Sequence, residues 1–160
     1  MQDWSGNRKA VFVTNGDSSH SQQARADWDY YATDPRAVAA LIKRERFSPE
    51  ILEPACGGGH ISETLINAGY AVYSMDIVKR DYKKQIKTAD FLQQRESWHG
   101  DIITNPPYKY AAEFVQHALD IIDDGHKVAM FLKLTFLEGE KRRALFQQNP
   151  PRKIYVFTKR

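Results

Sequence analysis

The sequence predicts an α/β fold of the Rossmann-like, doubly wound kind, a mostly parallel sheet with helices on both faces. Three observations predict it. Short apolar runs alternate with helical patterns from about residue 34 onward. One run leads directly into a glycine turn, Glu53-Pro54-Ala55-Cys56-Gly57-Gly58-Gly59-His60, and a later one ends at Asn105-Pro106-Pro107-Tyr108. With 160 residues, 42% hydrophobic and 27% charged, the chain has the size and composition of one globular domain with a single sizeable core.

The elements follow in order. Residues 1–28 are rich in Asn, Ser, Gln and Asp, with one strand-like patch at Val11-Phe12-Val13, and read as a loosely held arm ahead of a domain over 29–160. Asp34-Pro35 starts a helix, an Asp cap followed by proline at the first helical position, with Val38, Leu41 and Ile42 as its apolar stripe. Ile51-Leu52 is a strand running into the glycine turn. Ile61, Leu65 and Ile66 mark a helix that stops at Gly69. Ala71 to Met75 is strand-like and ends at Asp76; a short segment reaches Asp90-Phe91-Leu92. Asp101 to Thr104 is a strand, and Ala111 to about Ile122 a helix with Phe114, Ala118, Ile121 and Ile122 on one side. Val128 to Leu132 is an uninterrupted apolar run of the buried-strand type. A basic helix around Lys141–Gln147, a break at Pro150-Pro151 and a last strand over Ile154–Phe157 complete the order.

Composition excludes several classes. No apolar run approaches the 18 or so residues of a membrane-spanning helix, and the N-terminus lacks the apolar core of a signal peptide. A lone cysteine, Cys56, cannot form an internal disulfide, which fits a reducing cytoplasm. Five histidines show no metal-ligand spacing, so no metal is expected. The net charge of +3 is unevenly placed. Seven Lys/Arg and no acid lie between Lys141 and Arg160, leaving 16 basic and 20 acidic residues elsewhere. That segregation is either a solvated helix face or the footprint of a polyanion binder.

The two motifs carry the chemistry. Gly57 and Gly59 let the backbone turn sharply and approach a ligand, and the helix that follows presents free N–H groups. A short Gly-x-Gly occurs in many α/β turns for packing alone, but here three acids accompany it. Glu53 closes the strand before the turn. Asp76 ends the next strand, about 20 residues on, where an acid can bind ribose hydroxyls. Asp90, before Phe91, is placed to accept from an adenine amino group. No Gly-Lys-Ser/Thr follows the turn, which argues against a triphosphate. In the tetrapeptide, two prolines stiffen the backbone and leave it without N–H donors. The Asn105 amide oxygen and the Pro106 carbonyl can both accept from one NH₂ group, keeping its lone pair directed at an electrophile. Tyr108 can stack on the ring that carries the amine. The pair of motifs therefore implies group transfer from a nucleotide-like cofactor to a planar amine.

In the order Thr33-Asp34-Pro35, EPACGGGH, Asp76, Asp90 and NPPY, the chain from about Asp29 resembles S-adenosylmethionine-dependent amino-methyltransferases. More narrowly it is similar to the small N6-adenine DNA methyltransferases often carried by phages and prophages. The resemblance implies S-adenosylmethionine as cofactor and DNA adenine, flipped out of the duplex, as substrate. It also implies roles. Thr33 and Tyr31 would border the methionine end of the cofactor, and Glu53, Gly57 and Gly59 its main cradle. Asp76 would hold the ribose, and Asp90 with Phe91 the adenine. Asn105, Pro106, Pro107 and Tyr108 would hold the target amine. NPPY also occurs in RNA adenine and protein glutamine methyltransferases, so those substrates stay open, as does a non-catalytic nucleic-acid-binding subunit. The chain departs from the family pattern in having Asp34 where a Thr-Pro pair is common. It has no room for a target-recognition domain, which leaves a partner subunit or homodimer open. It also stops before the family's final antiparallel strand. Ile154–Phe157 is therefore expected to be poorly paired, displaced into the vacant position, or paired with a second molecule.

Overall fold

Alternate residues of the central strands serve opposite faces of one sheet, and that alternation builds two cores. The computed structural model describes residues 32–158. The proposed N-terminal arm and Tyr31 lie outside the described residues. Five strands, β1 (Glu50–Glu53), β2 (Ala71–Asp76), β3 (Lys87–Thr88), β4 (Asp101–Thr104) and β5 (Val128–Met130), form a sheet in the order β3-β2-β1-β4-β5. Every pairing is parallel. On one face Leu52, Met75 and Ile102 pack with Phe91 and with Phe114, Ala118 and Ile121 of α3 (Ala111–Ile121). On the other, Ile51 and Ile103 pack with Val38 of α1 (Pro35–Ile42) and with Ile61 and Leu65 of α2 (His60–Asn67). A sheet covered on both faces needs unbroken apolar runs, which is what β1 and β4 supply.

Local chemistry sets the element ends. The Asp34 carboxylate accepts from the Arg36 backbone N–H at 2.9 Å, and Pro35 occupies the first turn, so α1 starts where the sequence predicts. α2 ends at Gly69, whose φ of +96° is the left-handed conformation a helix stop favours. Asp101, buried at the start of β4, accepts from the Ser48 and Lys127 backbone N–H groups at 2.6 and 2.7 Å. It thereby ties together the segments that enter β1 and β5, at the sheet end opposite the two motifs.

Two expectations need correction. β5 is half-buried rather than fully buried, because it has a strand neighbour on one side only. The predicted strand over Ile154–Phe157 is not formed. That segment is extended and exposed, and among the described residues no backbone hydrogen bond joins it to the sheet. It is held by side chains instead. Lys153 and Tyr155 both donate to Glu45, and the Phe157 ring stacks on Phe131 at 6.5 Å. The sheet among the described residues has no antiparallel strand. Poor pairing is thus the outcome for a run whose β-propensity is high but which meets no partner strand.

Candidate active site

Strand order decides where the two motifs meet. From β1 the chain steps to β2 and β3 on one side, whereas β4 and β5 lie on the other, so the order switches between β1 and β4. Loops leaving neighbouring parallel strands at such a switch flank a crevice at their carboxyl ends. The glycine turn leaves β1 and Asn105–Tyr108 leaves β4, so motifs about fifty residues apart in sequence stand side by side.

The glycine turn is tightly built. Cys56 N–H donates to the Met75 carbonyl at 2.9 Å, and Gly59 N–H to the Cys56 carbonyl at 2.7 Å. Gly57 and Gly59 have φ of +52° and +82°. Asp76, buried at the end of β2, accepts from the Gly57 N–H through Oδ2 at 2.8 Å and from the Val78 N–H through Oδ1 at 3.0 Å. Arg80 Nε also lies 3.8 Å from Oδ2, whereas Oδ1, with two lone pairs, retains the chemical capacity for a further donor such as a ribose hydroxyl. Cys56 is buried, and its thiol is pushed up to about 12, first by that burial and then by the Glu53 and Asp76 charges. A thiol so far from ionising is a packing residue.

Glu53 lies beneath the turn at 1% exposure rather than opening onto the crevice. Ser62 Oγ donates to its Oε2 and sits 2.5 Å from Ser74 Oγ. Burial pushes the carboxyl up to about 8, partly opposed by the Ser62 hydrogen bond. Because the folded form holds a proton that the unfolded chain releases at its ordinary carboxylate value, this group makes stability fall as pH rises from about 4.5 to about 8. Glu53→Gln, which keeps the shape without the ionisation, is expected to flatten that fall. Urea midpoints at pH 5 and pH 8 that drop equally in both proteins would remove this explanation.

Asp90 is half-buried and caps the short 3₁₀ turn Phe91–Gln93, its Oδ1 accepting from the Leu92 N–H at 3.0 Å. Phe91 is a correction. Its ring is 1% exposed and packs between Phe114 and His117, at 5.1 and 4.8 Å, so it anchors the turn from inside the core and does not line the crevice.

After β4, Pro106 is buried and the half-buried Pro107 begins the 3₁₀ turn Tyr108–Tyr110. Asn105 Nδ2 donates to Thr33 Oγ1 at 3.1 Å. This contact spans 72 positions and joins two residues that the sequence assigned to one site. It follows from helix capping. Asp34 fixes the start of α1, Val38 seats the helix on the sheet, and Thr33, one residue earlier, is carried against the end of β4.

The chain overlaps a "putative RNA methyltransferase" from Pyrococcus horikoshii with a TM-score of 0.57 at 16% identity, over 89% of this chain and 81% of that one. The fold is that of a class I methyltransferase. A weaker overlap, TM-score 0.43 at 14% identity over 76% and 75% of the two chains, is with magnesium protoporphyrin IX methyltransferase from Synechocystis PCC 6803 with bound SAM. No protein-family model matches the sequence, and no curated protein matches it.

Three residues of this methyltransferase-type fold gain a place that sequence patterns do not give them. Tyr82 packs its ring against Gly59 so closely that a Cβ there would overlap it. Gly59→Ala is therefore expected to cost the backbone strain of positive φ, about 1–2 kcal/mol, plus the displacement of Tyr82. Gly69→Ala, with open space around the position, carries the strain alone. Equal losses in urea unfolding would show that Tyr82 is not held against the turn. Lys133 places its ammonium 4.7 Å from the Tyr108 ring centre. No sequence pattern marks it, because the nearness of the segments leaving β4 and β5 is set by strand pairing. Arg142, within the basic stretch, is turned inward onto the preceding loop. Its guanidinium donates to the carbonyls of Phe136 at 2.6 Å and Thr135 at 3.1 Å, and to that of Glu138. It braces a loop; Lys141 and Arg143 remain exposed.

Proposed function

We propose that this protein transfers a methyl group from S-adenosylmethionine to the exocyclic N6 amino group of adenine in DNA. The observation that carries the reading is the adjacency of the glycine turn and Asn105–Tyr108 at the β1/β4 switch point, with Asn105 bonded to Thr33. The residues present fit the cofactor. Gly57 and Gly59 hold the turn at positive φ, and Asp76 carries lone pairs suited to ribose hydroxyls. Gly57, Gly59 and Asp76 would hold it, with Asp90 at its adenine and Thr33 towards its methionine end. When bound, S-adenosylmethionine supplies an electrophilic methyl group.

The chain's own residues do the rest. Asn105 Nδ2 is engaged by Thr33, which fixes the amide plane and directs Oδ1 away from that bond. Oδ1 and the Pro106 carbonyl then accept the two amine hydrogens. The nitrogen lone pair is thereby held towards the methyl group. A strong base is unnecessary, because the nitrogen becomes acidic as it is alkylated. Tyr108 supports the base by stacking, worth roughly 1–3 kcal/mol.

RNA adenine is a second reading, favoured by the description of the Pyrococcus horikoshii neighbour. The test is incubation with methyl-labelled cofactor and separate DNA, RNA and protein pools, followed by nucleoside and amino-acid analysis. Label in N6-methyladenine from DNA is expected. Label confined to RNA or to glutamine would overturn the DNA assignment, and no label from a protein that binds the cofactor would overturn transfer itself.

A further inference from the structure

The geometry points to Lys133 as a substrate-positioning residue that binds the backbone phosphate beside the base held on Tyr108. The inference rests on nucleic-acid methylation as proposed above. Lys133 lies three residues past the end of β5, and Thr104 pairs with Met130, so the segments leaving β4 and β5 emerge side by side. This brings the Lys133 ammonium to 4.7 Å from the Tyr108 ring centre, on the residue that would carry the target ring.

Three other lysines have carboxylate partners. Lys84 is tied to Glu63 at 2.9 Å, and Lys127 and Lys153 both to Glu45. Among the described residues no carboxylate is paired with Lys133, which is exposed. A cation held over the half-buried Tyr108 ring by such a contact is only weakly bound where solvent can reach it. Such a contact holds the ammonium near the site and yields readily to a phosphate oxygen, a charge-assisted partner that a flipped nucleotide carries next to its base.

The backbone that delivers Lys133 is fixed. Directly after it, the 3₁₀ turn Leu134–Leu137 is clamped by Arg142, which donates to three of its neighbouring carbonyls and lies 5.1 Å over the Phe136 ring. Arg142 thus acts on the substrate through the loop, whereas Lys133 makes the contact. A braced loop that begins with an exposed cation suits a substrate recognised by its phosphates, because the backbone is already placed before binding.

The test uses the full chain with Lys133→Gln and Lys133→Arg, and Lys153→Gln as a matched charge loss at the opposite end of the sheet. Lys133→Gln is expected to raise the KM for DNA about tenfold with kcat within about twofold, and to make the slope of log affinity against log salt shallower by about one. Lys133→Arg should restore both. Lys153→Gln should leave the KM at its wild-type value. An unchanged KM and salt slope in folded Lys133→Gln would overturn the assignment while leaving nucleic-acid methylation standing. Equal loss of cofactor affinity would mark Lys133 as structural and overturn it too. Wild-type protein that methylates no nucleic acid and binds it without salt dependence would overturn both proposals together.

Discussion

Asn105→Ala is expected to lower kcat by roughly 10²–10³-fold while leaving S-adenosylmethionine affinity unchanged, the scale seen when one preorganised polar partner of a reacting group is removed. In the role proposed for Asn105, the amide oxygen would accept from the amine, an interaction that strengthens as the nitrogen gains positive charge. Its loss therefore falls on the transition state rather than on ground-state binding. The half-buried Asn105 side chain also donates to Thr33, so the alanine variant leaves that hydroxyl without this donor. Thr33→Val separates the two effects: it removes the acceptor that fixes the amide and keeps the amide itself. A smaller loss in kcat, about tenfold, is expected there. Single-turnover rates with saturating cofactor measure both variants. A folded Asn105→Ala protein that transfers methyl at the wild-type rate would remove Asn105 from the chemistry.

Asp76→Ala is expected to weaken S-adenosylmethionine binding at least tenfold. The Asp76 carboxylate already receives the Gly57 and Val78 N–H groups, so it shapes the turn as well as offering acceptors to a ligand. Hydrogen bonds to a charged group contribute about 1.5–3 kcal/mol each, and buried donors left unmade cost about 1–3 kcal/mol. The variant should thus lose both affinity and folding stability. Asp76→Asn retains one acceptor oxygen and a similar shape, and an intermediate affinity is expected. Titration calorimetry on variants whose circular dichroism is native distinguishes a ligand contact from a collapsed turn. Native affinity in Asp76→Ala would place the ribose elsewhere.

Much of this was legible along the chain because the signals are local. The Asp34-Pro35 start of α1 and the Gly69 stop of α2 are set by side-chain capping and by positive φ, both read from neighbouring residues. The runs that became β1, β2 and β4 were visible as apolar segments bounded by turn residues, and the two motifs stood at strand ends. Ile154–Phe157 shows the limit of that reading. Its four residues carry strong β-propensity, yet a strand exists only through hydrogen bonds to another strand, and this segment is held by Glu45 and Phe131 instead.

By itself the sequence determined most of the element types, the glycine turn and the acceptor-rich tetrapeptide, since capping, periodicity and proline stiffness act over a few residues. Strand order, decided only by tertiary pairing, set β1 beside β4 and so brought the glycine turn to Asn105. Packing decided which predicted residues face the crevice. Phe91 was drawn into the core by Phe114 and His117, and Glu53 was buried under Ser62. Long-range contacts also recruited residues that no local pattern marks: Thr33 to Asn105, Tyr82 to Gly59, Lys133 to Tyr108. The physical reason is one of distance. A propensity is a property of a short window, whereas a site is assembled from side chains whose separation in space depends on how the whole sheet is ordered.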